Sequence, residues 1–304
     1  MGTQAGHVPV MLDEVIEHLV PRPGRIILDG TAGGGGHAAA LLDRIRPGGL
    51  LVLLDRDAGA LERLIARFGR SGDVRYFHAN FCDFDQVLSE IEQEHIDGAI
   101  LDLGISGEQL ADAGRGFSFD RPGVLDMRYD RSGPLTAADI VNRWSADRLA
   151  SIFRDYGDQP FSRRIARAIT EARRRRPIRR TDELAETVAA AVPAAWRRKQ
   201  KIHPATRVFQ SIRIAVNDEY GSLTTFLNKI FDYIRPGGRV VVIAFHSGED
   251  RLVKTHFREA ARRGLVALPV TTPITPAARE VKANPCARSA RLRVAVRLAA
   301  AGQA

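Results

Sequence analysis

The stretch IILDGTAGGGGHAAALL, Ile26 to Leu42, sets five glycines in the seven residues Gly30 to Gly36, between an apolar run and a helical pattern. Glycine loses more backbone entropy on folding than any other residue, so such a cluster marks a sharp turn or a close approach to the backbone. RIILD in front of it reads as a short buried strand. The residues behind it, through Leu42 and Ile45, read as a helix. Strand, glycine loop and helix together open a doubly wound α/β sheet, where ligands bind beyond the carboxyl ends of the strands.

Moving outward, LLVLLD reads as a second strand, VRYFHAN as a third and DGAILDLG as a fourth. GALERLIARF is a helix with Leu61, Leu64, Ile65 and Phe68 on one face. Strands separated by helices imply right-handed crossovers and a parallel sheet. After Asp102 the rhythm changes, and from about Gln109 to Pro204 the signals are helical. The α/β rhythm then resumes. VFQSIRIAVNDEYGSLTTFLNKIFDYI reads as one long or two linked helices, GRVVVIAFHS as a buried strand. ARLRVAVRLA alternates, with Leu292, Val294, Val296 and Leu298 on one face and Arg291, Arg293 and Arg297 opposite. The expected organisation is therefore an α/β domain in two parts, 1–108 and 206–304, with an all-helical domain inserted at 109–205.

The chain has 304 residues, 44% hydrophobic and 27% charged, which fits a globular protein with a sizeable core. Of its 45 lysines and arginines 40 are arginine, and the formal net charge is +9. That balance suits phosphate binding, although a GC-rich genome gives the same bias. Two cysteines, Cys82 and Cys286, are too few for a disulfide framework or a cysteine-based zinc site, and no metal is expected. No apolar run is long enough to span a membrane, and MGTQAGHVPV lacks the regions of a secretion signal, so a cytoplasmic protein is expected.

Gly34, Gly36 and Ala39 satisfy the dinucleotide pattern, and Asp55 ends the second strand where a ribose-binding acid belongs. A pyrophosphate, however, wants helix-terminal N–H groups without anions nearby. Asp29 stands directly before the loop and Asp102 ends the fourth strand. These carboxylates match a ligand carrying an ammonium and a sulfonium, so S-adenosylmethionine is favoured over a nicotinamide dinucleotide. Phe81, just after the third strand, is placed to pack on an adenine, with a plain core aromatic as the alternative.

Longer motifs occur in order along nearly the whole chain: HVPVMLDEVIEHL, LDGTAGGGGH, LLDRD, ILDLGIS, GRGFSF, LDMR, HPATRVFQSIRIAVNDE, VIAFHSGEDR and NPCARSARLR. Together they resemble the bacterial small-subunit ribosomal RNA cytosine-N4 methyltransferases, the RsmH or MraW family. The resemblance implies a Rossmann-like S-adenosylmethionine-dependent methyltransferase with an inserted helical domain. It implies methylation of N4 of one cytidine near the decoding site of 16S rRNA, and cofactor contacts at Gly35, Gly36, His37, Asp55, Phe81, Asp102 and Gln109. Asp29 and Gly33 join them from the reading of the loop. The chain departs from the family pattern at Gly107 and Glu108 after Ser106, at Tyr129, at Gly248 where a leucine is usual, and at Cys286. Those departures keep open a methyltransferase acting on DNA or tRNA, or a silent RNA-binding assembly factor.

Cytosine N4 is a poor nucleophile, so catalysis needs an acceptor for an N4 hydrogen and in-line alignment with the methyl group. DLGIS is the expected place for it. Asp102 accepts directly, or holds the methionine end while Ser106 and backbone carbonyls face the base. Phe117 or Phe119 is the candidate to stack the base. His7 and His246 are candidate pocket residues, and Ser247 a candidate helix cap. Arg173, Arg174, Arg175, Arg176, Arg179 and Arg180 are the RNA-backbone candidates, against the plain alternative of a solvated face. The oligomeric state, monomer or homodimer, is open.

Overall fold

The computed structural model describes residues 9–200 and 202–299, so His7 lies outside the described residues. The chain divides into two compact units, Met1–Gly104 with Tyr220–Ala304, and Ile105–Glu219.

The first unit is built on a seven-stranded sheet. In chain order the strands are β1 (Ile26–Asp29), β2 (Leu50–Asp55), β3 (Val74–His78), β4 (Ile96–Asp102), β5 (Ile234–Ala244), β6 (Val266–Ala267) and β7 (Arg291–Arg297). Their spatial order is β3-β2-β1-β4-β5-β7-β6. The first five run parallel, and β7 lies antiparallel between β5 and β6. Successive side chains on a strand point to opposite faces. Leu28, Val52, Leu54, Leu101 and Val242 accordingly meet Phe84, Phe226 and Phe257 on one face. Ile27, Leu51, Leu53, Ile100 and Ile243 meet Val15, Leu41 and Leu61 on the other. With both faces covered, the parallel strands are near-continuous apolar runs, which is why they were legible.

β7 differs from its expected pattern. Arg293 is not on a solvated face but 9% exposed, its Nε 2.6 Å from Oδ1 of Asp250. The helix Ser247–Arg262 covers that face and carries the partner acid, so the buried guanidinium is neutralised where it sits.

The second unit is helical. Its main helices are Ala137–Arg143, Ala146–Asp155, Ser162–Arg175, Thr181–Ala191 and Ala205–Asn217. Its extended pairing among the described residues is one isolated bridge, Val124 to Arg180. A separate core joins Phe117, Leu125, Ile140, Phe153, Ile169, Leu184, Val208 and Ile212. Packing puts the boundaries at Ile105 and Glu219 rather than 109 and 205. The reason is that Ala205–Asn217 buries Val208, Phe209 and Ile212 in the helical core. The long helical stretch is thus two helices, broken at Asp218 with φ 47°, and the second, Glu219–Tyr233, packs on the sheet. No helix among the described residues is long and apolar enough to cross a membrane.

Candidate functional site

Three aspartates converge at the carboxyl ends of adjacent strands. Asp29 pairs in register with Leu53 and Ile100, so Asp55 and Asp102 each lie two residues further along their strands. Asp29 is 2% exposed. Its Oδ1 accepts from Thr31 N–H at 3.1 Å, while Thr31 Oγ1 accepts from Asp102 N–H at 2.6 Å. Thr31 therefore ties the tips of β1 and β4 together, a role that strand periodicity does not show; a hydroxyl just after the acid that ends β1 is its only sequence signal. Asp55 accepts from Gly33 N–H at 2.7 Å and from Asp57 N–H at 2.8 Å, which fixes the plane of its carboxylate.

No lysine or arginine pairs with Asp29, Asp55 or Asp102 among the described residues. Burial pushes Asp29 up to about 7, with the nearby Asp55 charge adding to it against the Thr31 hydrogen bonds. Burial likewise raises Asp55, opposed by the backbone N–H groups of Asp57 and Gly33. Asp102 is raised well above the carboxylate range by burial, then by the charges of Asp29 and Glu249. Its Oδ1 is buried and has no hydrogen-bond partner among the described residues. An orphaned buried acceptor beside two further acids calls for an external donor that is also a cation. The cationic methionine end of S-adenosylmethionine fits that requirement, and a pyrophosphate does not.

His37 stands at the start of the helix Gly36–Ile45, 6% exposed. Its Nε2 lies 2.9 Å from the Val10 carbonyl, which requires an N–H there, and its Nδ1 faces Asp102 Oδ2 at 3.7 Å. The N-terminal segment thus reaches the glycine loop through Pro9 and Val10. Three of the glycines make room for the protein itself. A β-carbon on Gly30 would sit 2.5 Å from Leu101 and 2.9 Å from Phe81 Cβ; on Gly35, 2.4 Å from Leu64; on Gly36, 2.9 Å from Pro9. Gly35 also caps the helix at φ 73°. At Gly33, also left-handed, the surroundings are open, with only the Thr31 carbonyl within 4 Å. Phe81 lies edge-on to Phe226, ring centroids 5.8 Å apart, and is half-buried.

Ser106 and Gln109 belong to the helical unit. Ser106 Oγ accepts from Gln109 N–H at 3.1 Å and Gln109 Oε1 accepts from Ser106 N–H at 3.2 Å, a reciprocal cap on the short helix Gly107–Ala111. Phe117 is 6% exposed and stacks on Tyr129, so it is a core residue; Phe119 packs against His203 and Phe209. Asn217 makes local contacts, donating to the Met127 carbonyl and accepting from Tyr129 N–H, while Glu219 pairs with Arg213. In the first unit, His246 rather than Ser247 caps the Ser247–Arg262 helix: its Nδ1 accepts from Glu249 N–H.

The basic run divides. Arg173 turns inward and donates to the Val141 carbonyl at 2.7 Å, Arg176 pairs with Glu183, and Arg180 pairs with Asp182. Arg179 gives its backbone N–H to Glu183. Arg174 and Arg175 are exposed.

Comparison with known proteins bears on the family. The MraW methylase family profile matches residues 4–298. The Ribosomal RNA small subunit methyltransferase H of Nitratidesulfovibrio vulgaris is 46% identical over 312 residues, covering 96% of this chain and 86% of that one. Its namesake from Geobacter sulfurreducens is 45% identical over 309 residues, covering 96% and 99%. A solved putative methyltransferase from Streptococcus mutans in complex with SAH aligns with TM-score 0.43 at 11% identity, over 94% of this chain and 95% of that one. A family profile and relatives that run almost end to end leave one conclusion: the chain belongs to the MraW methylase family and is an S-adenosylmethionine-dependent methyltransferase.

Proposed function

We propose that this enzyme methylates N4 of a specific cytidine in 16S rRNA, near the decoding site of the small ribosomal subunit, in the cytoplasm. The names of its relatives support an rRNA acceptor, and the motif resemblance supports the N4 position and the cytidine. The observation that carries the cofactor half of the reading is Asp102 Oδ1, buried and without a hydrogen-bond partner beside Asp29.

The bound cofactor supplies an electrophilic methyl group on a cationic sulfur. The chain supplies binding and order. Asp55, its carboxylate plane held by Gly33 and Asp57, takes ribose hydroxyls; Asp29 and Asp102 hold the cationic end. Phe81 borders the adenine, and Gly35, Gly36 and His37 complete the cofactor contacts of the α/β unit; the motif resemblance adds Gln109. Acceptance of the N4 proton is the second reading of Asp102, and Ser106, in the same DLGIS motif, is the other candidate for the base side. Of the basic run, Arg174 and Arg175 are the members left for RNA.

Incubating the protein and labelled cofactor with small subunits, free rRNA, tRNA and DNA, then identifying the modified nucleoside, tests this reading. The expected result is N4-methylcytidine from small-subunit rRNA. Label in DNA or tRNA alone, or in another nucleoside, would overturn it, and absence of transfer would favour a silent assembly factor.

A further inference from the structure

We infer that the exposed face of the helix Ser162–Arg175 is the surface on which the helical unit grips RNA backbone phosphates, an inference that rests on the rRNA reading above. Between Ile105 and Glu219 the sequence holds 22 lysines and arginines against 15 aspartates and glutamates, +7 of the chain's formal +9. Several surface arginines have an acid partner: Arg46 pairs with Asp73, Arg128 with Asp126, Arg143 with Asp139, Arg154 with Asp155, Arg176 with Glu183 and Arg262 with Glu259.

Arg163, Arg164, Arg167, Arg174 and Arg175 gather on one helix, exposed and with no acid partner among the described residues. At about 100° per residue, Arg163, Arg167 and Arg174 fall within about 40° of one another around the helix. They form one row, about 16 Å long at the usual helical rise. Arg164 and Arg175 form a second row beside it, and Glu171 is the helix's one acid. The opposite face is fixed in the core through Ile165, Ala166 and Ile169, all fully buried, so the rows ride on a rigid element. Three of the last four residues are arginine, where the helix dipole favours cations in the absence of carboxylates.

Five like charges on one face repel each other, and Glu171, the one acid among them, offsets a single charge of the five. A polyanion offsets the rest. Guanidinium forks suit phosphate and carboxylate alike, but a protein partner needs apolar anchors to desolvate. The exposed positions of this face are arginine and Glu171, with no exposed apolar side chain among them. A nucleic-acid backbone, which gains from counterion release and needs no apolar anchor, is the occupant that matches.

The test compares the full chain with Arg163→Gln/Arg167→Gln/Arg174→Gln and with the acid-paired control Arg143→Gln/Arg154→Gln/Arg262→Gln. Binding of deproteinised 16S rRNA is followed across a potassium chloride series, with polyuridylate and polyglutamate as competitors. At about 0.7 to 0.9 per phosphate contact, the log–log salt slope of the first variant should flatten by about 2 to 3. The control should keep the slope of the unaltered chain, and circular dichroism and cofactor affinity should be the same in all three. An unchanged slope in the first variant, equal flattening in the control, or competition by polyglutamate but not polyuridylate would each overturn the inference. Methyl transfer measured on the same samples separates the two readings. Transfer to rRNA with an unchanged slope sinks the surface alone; flattening with no transfer to rRNA sinks the methylation reading and leaves the surface standing.

Discussion

Asp29 shows at single-residue scale why this site takes a cation. Its side chain is buried at the tip of β1, and its carboxyl is held up at about 7 by burial and by Asp55. An aspartate in an unfolded chain titrates near about 3.9. The folded, ligand-free protein therefore binds the extra proton between those limits. The stability this gives is full below about pH 4 and is lost as pH rises through about 7. Ligand binding runs the other way, because a cation prefers the ionised acid. S-adenosylmethionine affinity should rise from pH 5.5 to 8, and its preference over S-adenosylhomocysteine, which lacks the sulfonium charge, should widen over that range in calorimetric titrations. Asp29→Asn should weaken S-adenosylmethionine by about 10- to 100-fold, the usual cost of a lost charge-assisted contact, and flatten the pH dependence. A variant whose pH profile matches the unaltered enzyme would dissociate Asp29 from the effect.

At the scale of elements, the departures from the family pattern gain packing explanations. A β-carbon at Gly248 would sit 1.8 Å from Tyr220 Oη and 2.7 Å from its ring, so the leucine usual there has no room. Both residues belong to the α/β unit, one at the start of Ser247–Arg262 and the other at the start of the preceding helix. Gly248→Leu should destabilise the protein by about 1 to 3 kcal/mol or more in urea unfolding, as overpacking does, and Tyr220→Ala in the same chain should recover much of it. Equal loss in the single and double variants would refute the pairing. Tyr129, the other departure with clear contacts, stacks on Phe117 at 5.5 Å and donates to Glu219 at 3.2 Å within the helical unit. Nothing in the structure explains Cys286, which is exposed. Arg293 on β7 shows the limit of strand periodicity: alternation predicts which residues share a face, but not that a helix bearing Asp250 covers the charged one.

For the whole molecule, the division into two units follows from two closed cores. The helical unit buries Phe153, Ile169, Leu184 and Ile212 among its own residues, without borrowing from the sheet. An excised Ile105–Glu219 fragment should accordingly give a helical circular dichroism spectrum and a single cooperative thermal transition. A spectrum without helix, or a melt without a transition, would show that its core needs the rest of the chain. The charge is just as unevenly distributed, since +7 of the formal +9 lies in that segment, while the cofactor acids lie in the other unit.

The sequence by itself determined the parallel sheet, because buried strands write themselves as apolar runs and glycine loops punctuate them. It also determined the three acids at the strand tips, because strand ends are where apolar runs stop. Tertiary structure alone decided what those residues meet. The loop glycines clear space for Leu64, Leu101 and Pro9, and His246 is a helix cap. Arg173, Arg176 and Arg180 are engaged locally, while Arg163, Arg167 and Arg174 line up without acid partners. Periodicity is a local property of the chain; neutralisation and burial depend on which distant residue arrives opposite, and no local pattern carries that information.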